Sequence, residues 1–199
     1  LTTIKNRVLS VGNQGTDASG HQINYLQRND FMRSEVGHAI GAWYVIKTDG
    51  IFQSQDEIDS YVNKDGTVVQ PNARPGDIRY VDANGDGKID DNDRQFEGSP
   101  WPTLQAGVQL NGSYKNFSLN LQLTGIFGNT LYDGVRQTLD GYALNNFRKD
   151  INPWSPTNPG GTDPRLYVND PSDPTISINN MAQTSRWLES GSYVRVRNI

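Results

Sequence analysis

Leu104-Gln-Ala-Gly-Val-Gln-Leu-Asn-Gly-Ser-Tyr-Lys-Asn-Phe-Ser-Leu-Asn-Leu-Gln-Leu-Thr-Gly-Ile-Phe127 decides how this chain folds. Its even positions Leu104, Ala106, Val108, Leu110, Gly112 and Tyr114 hold nothing polar before the terminal Tyr. The odd positions Gln105, Gly107, Gln109, Asn111 and Ser113 hold no large apolar residue. A period of two is the mark of a β-strand, because successive side chains leave opposite faces. Lys115-Asn116 is a candidate two-residue turn, with Asn tolerant of positive φ. Beyond it the alternation resumes, with Phe117, Leu119, Leu121, Leu123, Gly125 and Phe127 on one side. Ser118, Asn120, Gln122 and Thr124 take the other side, which Ile126 ends. A two-residue turn pairs Tyr114 with Phe117, Leu110 with Leu121 and Val108 with Leu123. It also pairs Ser113 with Ser118, Asn111 with Asn120 and Gln109 with Gln122. One face is then apolar throughout, and the other is polar without charge.

Two architectures accept such a hairpin. A soluble sandwich packs the apolar face inward and wets the polar one. A transmembrane barrel turns the apolar face to lipid and lines its lumen with the polar one. Three details favour the barrel. The strands run about 11 residues, enough to span at a tilt of ~45°. Tyr114 and Phe117 flank the short turn, where an interfacial aromatic girdle lies, with Trp101 beyond the far end. The polar face also lacks the Lys and Glu of an ordinary soluble sheet surface.

Upstream, Asp82-Ala-Asn-Gly-Asp-Gly-Lys-Ile-Asp-Asp-Asn-Asp93 carries a charge of −4, which equals the formal net charge of the whole chain. The spacing matches an EF-hand-type calcium loop, which draws oxygens from positions 1, 3, 5, 7, 9 and 12. The expected ligands are Asp82, Asn84, Asp86, the carbonyl of Lys88, Asp90 and Asp93. Gly87 sits at the turn position that needs positive φ, and Ile89 is placed to anchor the loop on an apolar surface. All-oxygen donors favour Ca²⁺ over a transition metal. Position 12 is Asp rather than Glu, with a shorter reach. Pro75-Gly76 upstream, and Gly98, Pro100 and Pro102 downstream, break the helices that an EF-hand needs. The competing reading is an Asp/Asn/Gly turn that holds itself together by side-chain-to-backbone bonds.

The remaining chain reads as short turns alternating with long loops. Residues 1–11 read as a weak strand and 12–36 as loop. Ala39 to Lys47 is β-prone but alternates poorly, as sheet inside a loop does. Ser54-Gln-Asp-Glu57 is a capping box that predicts a short helix near 55–63. Asp56, Glu57 and Asp59 are then partners of the helix dipole. Residues 128–190 read mostly as loop, with six of the ten prolines between 152 and 175. Trp154 and Tyr167 in that loop suit either stacking on a sugar or pinning the loop to itself. A final strand begins near Ser192. Tyr193 to Ile199 looks like a strand cut in the middle, and the first residue is Leu1, so an excerpt of a longer polypeptide is expected.

Among 199 residues there is no cysteine, which excludes a disulfide framework and thiolate metal sites. No apolar run is long enough for a membrane helix, and no basic stripe points to nucleic acid. Catalysis finds no support. There is no Gly-x-Ser-x-Gly elbow or phosphate loop, and His21 and His38 stand far apart without metal-site context. No catalytic residue is expected.

An ordered series of segments resembles the SusC/RagA family of TonB-linked outer-membrane proteins. The series comprises Glu35-Val-Gly-His-Ala-Ile-Gly41, Thr48-Asp-Gly-Ile-Phe52, Pro75-Gly-Asp-Ile-Arg79, the acidic run, Gly98-Ser-Pro100, the turn Tyr114-Lys-Asn-Phe117, and Arg186-Trp-Leu-Glu-Ser-Gly-Ser-Tyr-Val-Arg-Val-Arg-Asn-Ile199. The resemblance implies a 22-stranded barrel in the Gram-negative outer membrane, crossed many times by the chain, with an N-terminal plug absent here. It implies import of oligosaccharides or peptides with a SusD-like surface lipoprotein as lid. TonB supplies the energy through a part of the protein outside this chain. The expected fold class is all-β, an antiparallel transmembrane β-barrel segment with long extracellular loops and a short helix in one of them. The expected layout is an extracellular loop over 48–100, a transmembrane hairpin over 101–127 and a second extracellular loop over 128–190. Gln105, Gln109, Asn111, Asn120, Gln122 and Thr124 would then line the cavity. The alternative is a secreted calcium-binding interaction module, dockerin-like or adhesin-like.

Overall fold

A computed structural model describes residues 1–141, 148–166 and 183–198. In chain order the elements are β1 (Thr2–Thr3), β2 (Tyr25–Asn29), β3 (Met32–Glu35), β4 (Ala42–Ile46), β5 (Thr48–Ile51), α1 (Gln55–Ser60), β6 (Ile78–Tyr80), β7 (Arg94–Phe96), β8 (Leu104–Tyr114), β9 (Phe117–Phe127), β10 (Thr130–Tyr132), α2 (Gly134–Gly141), β11 (Leu188–Ser190) and β12 (Tyr193–Asn198). Apart from isolated bridges the pairing is antiparallel, so the described residues are all-β with two short α-helices. Among the described residues no helix is long and apolar enough to cross a membrane, which says nothing of strands. The chain divides into two compact units.

The first unit comprises Leu1–Trp43, Gly98–Tyr132 and Leu188–Ile199. Its main sheet has the order β1-β8-β9-β12. Strands β8 and β9 pair in the register that the alternation requires, from Leu104↔Phe127 through Leu110↔Leu121 to Tyr114↔Phe117. In the turn, Lys115 rather than Asn116 takes the positive φ, at 53°. Strand β12 extends both faces. Val194 and Val196 stand opposite Gly125 and Leu123 on the apolar side, and Arg195 stands opposite Thr124 on the polar side. The apolar face is open, with Leu110 and Leu119 each 53% exposed and Phe117 80% exposed. Gly125 has a packing reason, because a Cβ there would lie 2.7 Å from the Phe127 ring.

Two loop expectations give way in this unit. Residues 12–36 contain the hairpin β2–β3, paired from Tyr25↔Glu35 to Asn29↔Met32. These strands are too polar to alternate visibly. Arg33 over the Tyr25 ring at 3.9 Å and Arg33 Nε donating to Gln27 Oε1 at 3.2 Å tie them together instead. Strands β10 and β11 also interrupt the expected loop over 128–190, pairing Thr130↔Ser190 to Tyr132↔Leu188. The weak strand expected over 1–11 is only Thr2–Thr3.

The second unit comprises Tyr44–Glu97 and Asp133–Trp187. Here apolar side chains are buried in two clusters. Ile46, Ile78 and Tyr80 form one, with Ile51 and Ile89 against it. Phe52, Ile58 and Ala73 form the other, with Tyr61 and Val68. Helix α1 starts where the capping box places it. Ser54 Oγ accepts from Glu57 N at 3.3 Å, and the Glu57 carboxylate accepts from Gln53 N at 2.8 Å. It stops at Ser60, short of residue 63, because Tyr61 leaves helical geometry and donates its hydroxyl to Tyr80 O at 2.7 Å. Helix α2 is a second element within the region expected to be loop.

Candidate functional site

The acidic run builds a tight knot at the end of β6. Asp82 accepts from Gly85 N at 2.7 Å and Gly87 N at 2.9 Å, one bond on each carboxylate oxygen. Asp86 accepts from Lys88 N at 2.9 Å and from Asn84 Nδ2 at 3.1 Å. Asn84 accepts from Asp86 N at 2.9 Å. Asp90 caps a 3-10 turn over Asp91–Asp93, accepting from Asn92 N at 2.7 Å, while Asp93 returns a bond to Asp90 N at 2.8 Å. The buried Asp93 also accepts from Ala83 N at 2.9 Å, closing the loop on itself. Gly87 adopts φ 82°, and a Cβ there would lie 2.6 Å from Asn63 Nδ2. Ile89 packs on the Ile46 cluster, as its place in the sequence suggests.

Calcium needs several of these oxygens to face one point. The donors Asp82, Asn84, Asp86, Lys88, Asp90 and Asp93 are hard oxygens of the right kind. Each carboxylate oxygen of Asp82, Asp86 and Asp93 accepts an N–H, which shapes the loop and leaves further lone-pair capacity on each oxygen. Among the described residues no three His, Cys, Asp or Glu side chains are grouped to hold a metal ion. The knot has the bonding of the self-held Asx turn.

Next to the knot, Pro75-Gly-Asp-Ile-Arg79 is fixed residue by residue. Gly76 takes φ 90°, and a Cβ on it would meet the Trp154 ring at 2.5 Å. Trp154 thus pins its loop to the protein itself, while Tyr167, Pro171 and Pro174 lie outside the described residues. The fully buried Asp77 accepts from Arg165 Nε at 2.6 Å and from Arg74 N at 2.8 Å. Arg79 reaches Asp49 Oδ2 at 2.8 Å.

A second charged cluster in this unit lies around α2. The Asp140 side chain, on α2, is fully buried. It meets Arg148 at 2.7 Å through Nε and 2.9 Å through Nη2, and Arg136 Nε at 3.4 Å. Burial pushes the Asp140 carboxyl up. The Arg148 hydrogen bonds and charge, with the charges of Arg186 and Arg136, outweigh that and hold it below the usual carboxylate value. Asp163 accepts from Asn152 N at 3.0 Å and faces Arg136 at 3.9 Å and Arg186 at 4.0 Å. Arg136 and Asp140 are an i,i+4 pair on α2, while Asp163 and Arg186 join them from further along the chain.

In the first unit, Gln105, Gln109, Asn111, Asn120, Gln122 and Thr124 share one face of β8–β9 by register. His21 lies beside Asp17 at 3.6 Å, fully at the surface, and His38 sits in a turn where its carbonyl accepts from Val8 N at 2.8 Å. Neither belongs to a site.

No protein-family model matches the chain. It is 29% identical over 202 residues to a TonB-dependent receptor of Formosa agariphila, covering 100% of this chain and 19% of that protein. It is 30% identical over 182 residues to a second TonB-dependent receptor of the same organism, covering 92% of this chain and 16% of that protein. The chain therefore spans about a fifth or less of the length of these curated relatives. Among solved structures, the RagAB peptide transporter superposes with a TM-score of 0.57 at 20% identity, over 87% of this chain and 17% of that one. The RagAB peptide importer in its open-open state gives 0.57 at 17% identity, with the same coverage. The alternating hairpin, the motif series fixed around Asp77, and likeness along nearly the whole chain make this a stretch of a SusC/RagA-like TonB-dependent receptor.

Proposed function

We propose that this chain forms part of the wall and outer loops of a large outer-membrane β-barrel that imports peptides or oligosaccharides. The observation that carries the reading is the open apolar face of β8, β9 and β12. At ~3.4 Å per residue and a tilt of ~45°, a strand of 11 residues crosses roughly 26 Å, close to the ~25 Å apolar band of outer-membrane barrels. Fully burying a Val or Leu side chain is worth about 1.5–3 kcal/mol, and Val108, Leu110, Leu119, Val194 and Val196, each at least half exposed, forgo roughly half of that in water. Lipid removes that cost. Exposed Tyr114 and Phe117 at the short turn suit the aromatic girdle. The polar face of β8–β9, which carries no charge, then lines the lumen, and the loop over 48–100 is extracellular.

TonB engages a part of the receptor outside this chain, and a SusD-like lipoprotein covers the extracellular mouth. Peptide is the cargo named for the RagAB structures, and an oligosaccharide is the other cargo class the resemblance implies. The role is transport rather than catalysis. A secreted calcium-binding module is disfavoured by the open apolar sheet, which such a module would have to bury.

The test uses the full-length receptor. Fractionation should recover it with outer membranes, resistant to salt and carbonate extraction. A surface lipoprotein should co-purify in mild detergent, and a deletion strain should lose growth on either a peptide or a glycan source. A receptor recovered in the soluble secreted fraction would overturn the reading.

A further inference from the structure

In the second unit, β5 and β6, the Thr162–Pro164 segment, α2 and the 3-10 turn Ser185–Trp187 wall a pocket of about 140 Å³. Arg136, Arg186 and Asp163 line it, with Thr48 and Thr162 beside them. The Arg186 side chain is only 11% exposed. Its guanidinium lies over the Trp187 ring at 4.6 Å, and the carboxylate it faces, Asp163, is 4.0 Å away. That exceeds hydrogen-bond distance. The same Asp163 oxygen is 3.9 Å from Arg136, and the Asp140 carboxylate is held by Arg148 at 2.7 and 2.9 Å. Burial, and then the charge of Arg136, push the Arg186 guanidinium down from its ordinary pKa.

A guanidinium offers five N–H donors in a rigid fork that fits a carboxylate with two parallel bonds. A buried cation whose carboxylate partner stays beyond bonding distance is costly, and a ligand anion removes the cost. We propose that this pocket is a carboxylate-binding site in which Arg186 takes both oxygens of the ligand and Arg136 supplies further positive charge. A singly charged carboxylate suits the pocket better than a phosphate, because the neighbouring Asp163 repels a dianion. The site stands whether or not the import reading does.

The experiment titrates full-length receptor in detergent with sodium propionate, and with trialanine bearing a free or an amidated C-terminus, by calorimetry at constant ionic strength. The expected result is saturable propionate binding, weakened at least tenfold in Arg186→Gln and by less in Arg186→Lys. Free trialanine binding while its amide does not would identify a peptide terminus as the source. Binding of propionate alone would identify a small free acid, and both outcomes support the site. A second measurement needs no variant. Phenylglyoxal labelling of Arg186, read by mass spectrometry of the wild-type receptor, should be slowed by propionate and not by chloride. Absence of saturable binding, an unchanged affinity in Arg186→Gln, or labelling indifferent to propionate would each overturn the proposal.

Discussion

The sheet β1-β8-β9-β12 and the segment from Tyr44 to Glu97 follow opposite rules within one chain. In the sheet, apolar side chains are open, and the order comes from a backbone ladder of residue-by-residue pairs. In the segment, Phe52, Ile58, Ile78 and Tyr80 are buried, and polar side chains satisfy backbone N–H groups one by one. Each region is internally consistent, but for a different solvent. A polar group needs a partner where water is absent, and an apolar face needs lipid or protein where water is present. Reading burial alone would take the sheet for a badly packed one. Together with the period of two, the open face suits the proposed contact with a hydrocarbon medium.

The strongest way to strain this contrast is at Asp77. Asp77→Ala removes the buried carboxylate that Arg165 and Arg74 N share, at a cost of about 3–5 kcal/mol. Limited proteolysis of full-length receptor in outer-membrane vesicles should show new cuts near 74–79 and 160–166, with the hairpin still protected. Leu110→Arg comes next, at about 2–4 kcal/mol for a cation near the middle of a lipid face. Its neighbour Gln109→Arg, on the polar face, should cost less than about 1 kcal/mol. Heat-dependent gel migration reads the assembled fraction, and equal losses for both variants would break the two-faced reading of the sheet.

A smaller effect is expected in the acidic knot. Asp93→Ala takes the acceptor from Ala83 N and Asp90 N, a loss of roughly 1–3 kcal/mol. Hydrogen exchange at those amides should speed up, while a calcium chelator on the wild type should leave them unchanged. Chelator-induced exchange would instead assign a calcium ion to the loop. The mildest probe is acid. The lowered folded pKa of Asp140 contributes stability above its unfolded value near 4, and that stability is lost as pH falls through the folded value. Protection around α2 should therefore weaken progressively as pH falls below about 4, and Asp140→Asn should flatten the response. The sheet, whose polar face between 105 and 124 carries no ionisable group, should not follow.

Legibility in the sequence tracks how locally each feature is determined. The β8–β9 register was readable to the residue because both faces alternate and a two-residue turn leaves one solution. The turn still placed its positive φ on Lys115, since Asn tolerance is a preference and not a constraint. Helix α1 was readable from Ser54 and Glu57, but its end depended on Tyr61 reaching Tyr80, a tertiary contact. Strands β2 and β3 escaped because Gln27, Arg33 and Glu35 pair through polar side chains that mimic a loop's composition. The Asp140 and Asp163 cluster was invisible for a simpler reason. Arg136 and Asp140 sit one turn apart on α2, which the sequence left as loop, and Asp163 and Arg186 join them only in the folded chain. In the acidic run the six candidate ligands were correctly spaced, and spacing does not reveal whether an oxygen faces an ion or an N–H.

The knot has a consequence for the order of events as the chain acquires its structure. Its bonds join residues at most ten apart, so little chain entropy opposes their closure. The β8–β9 turn is equally local, and hairpins of this kind close within microseconds. Strand β12 must instead return to β9 from Tyr193 to Ile126, across the whole intervening segment. Late pairing of that edge is the expected sequence in time. On the proposed reading, a loop already tied up by its own carboxylates would reach the membrane with few free amide donors to pair wrongly with a waiting strand edge.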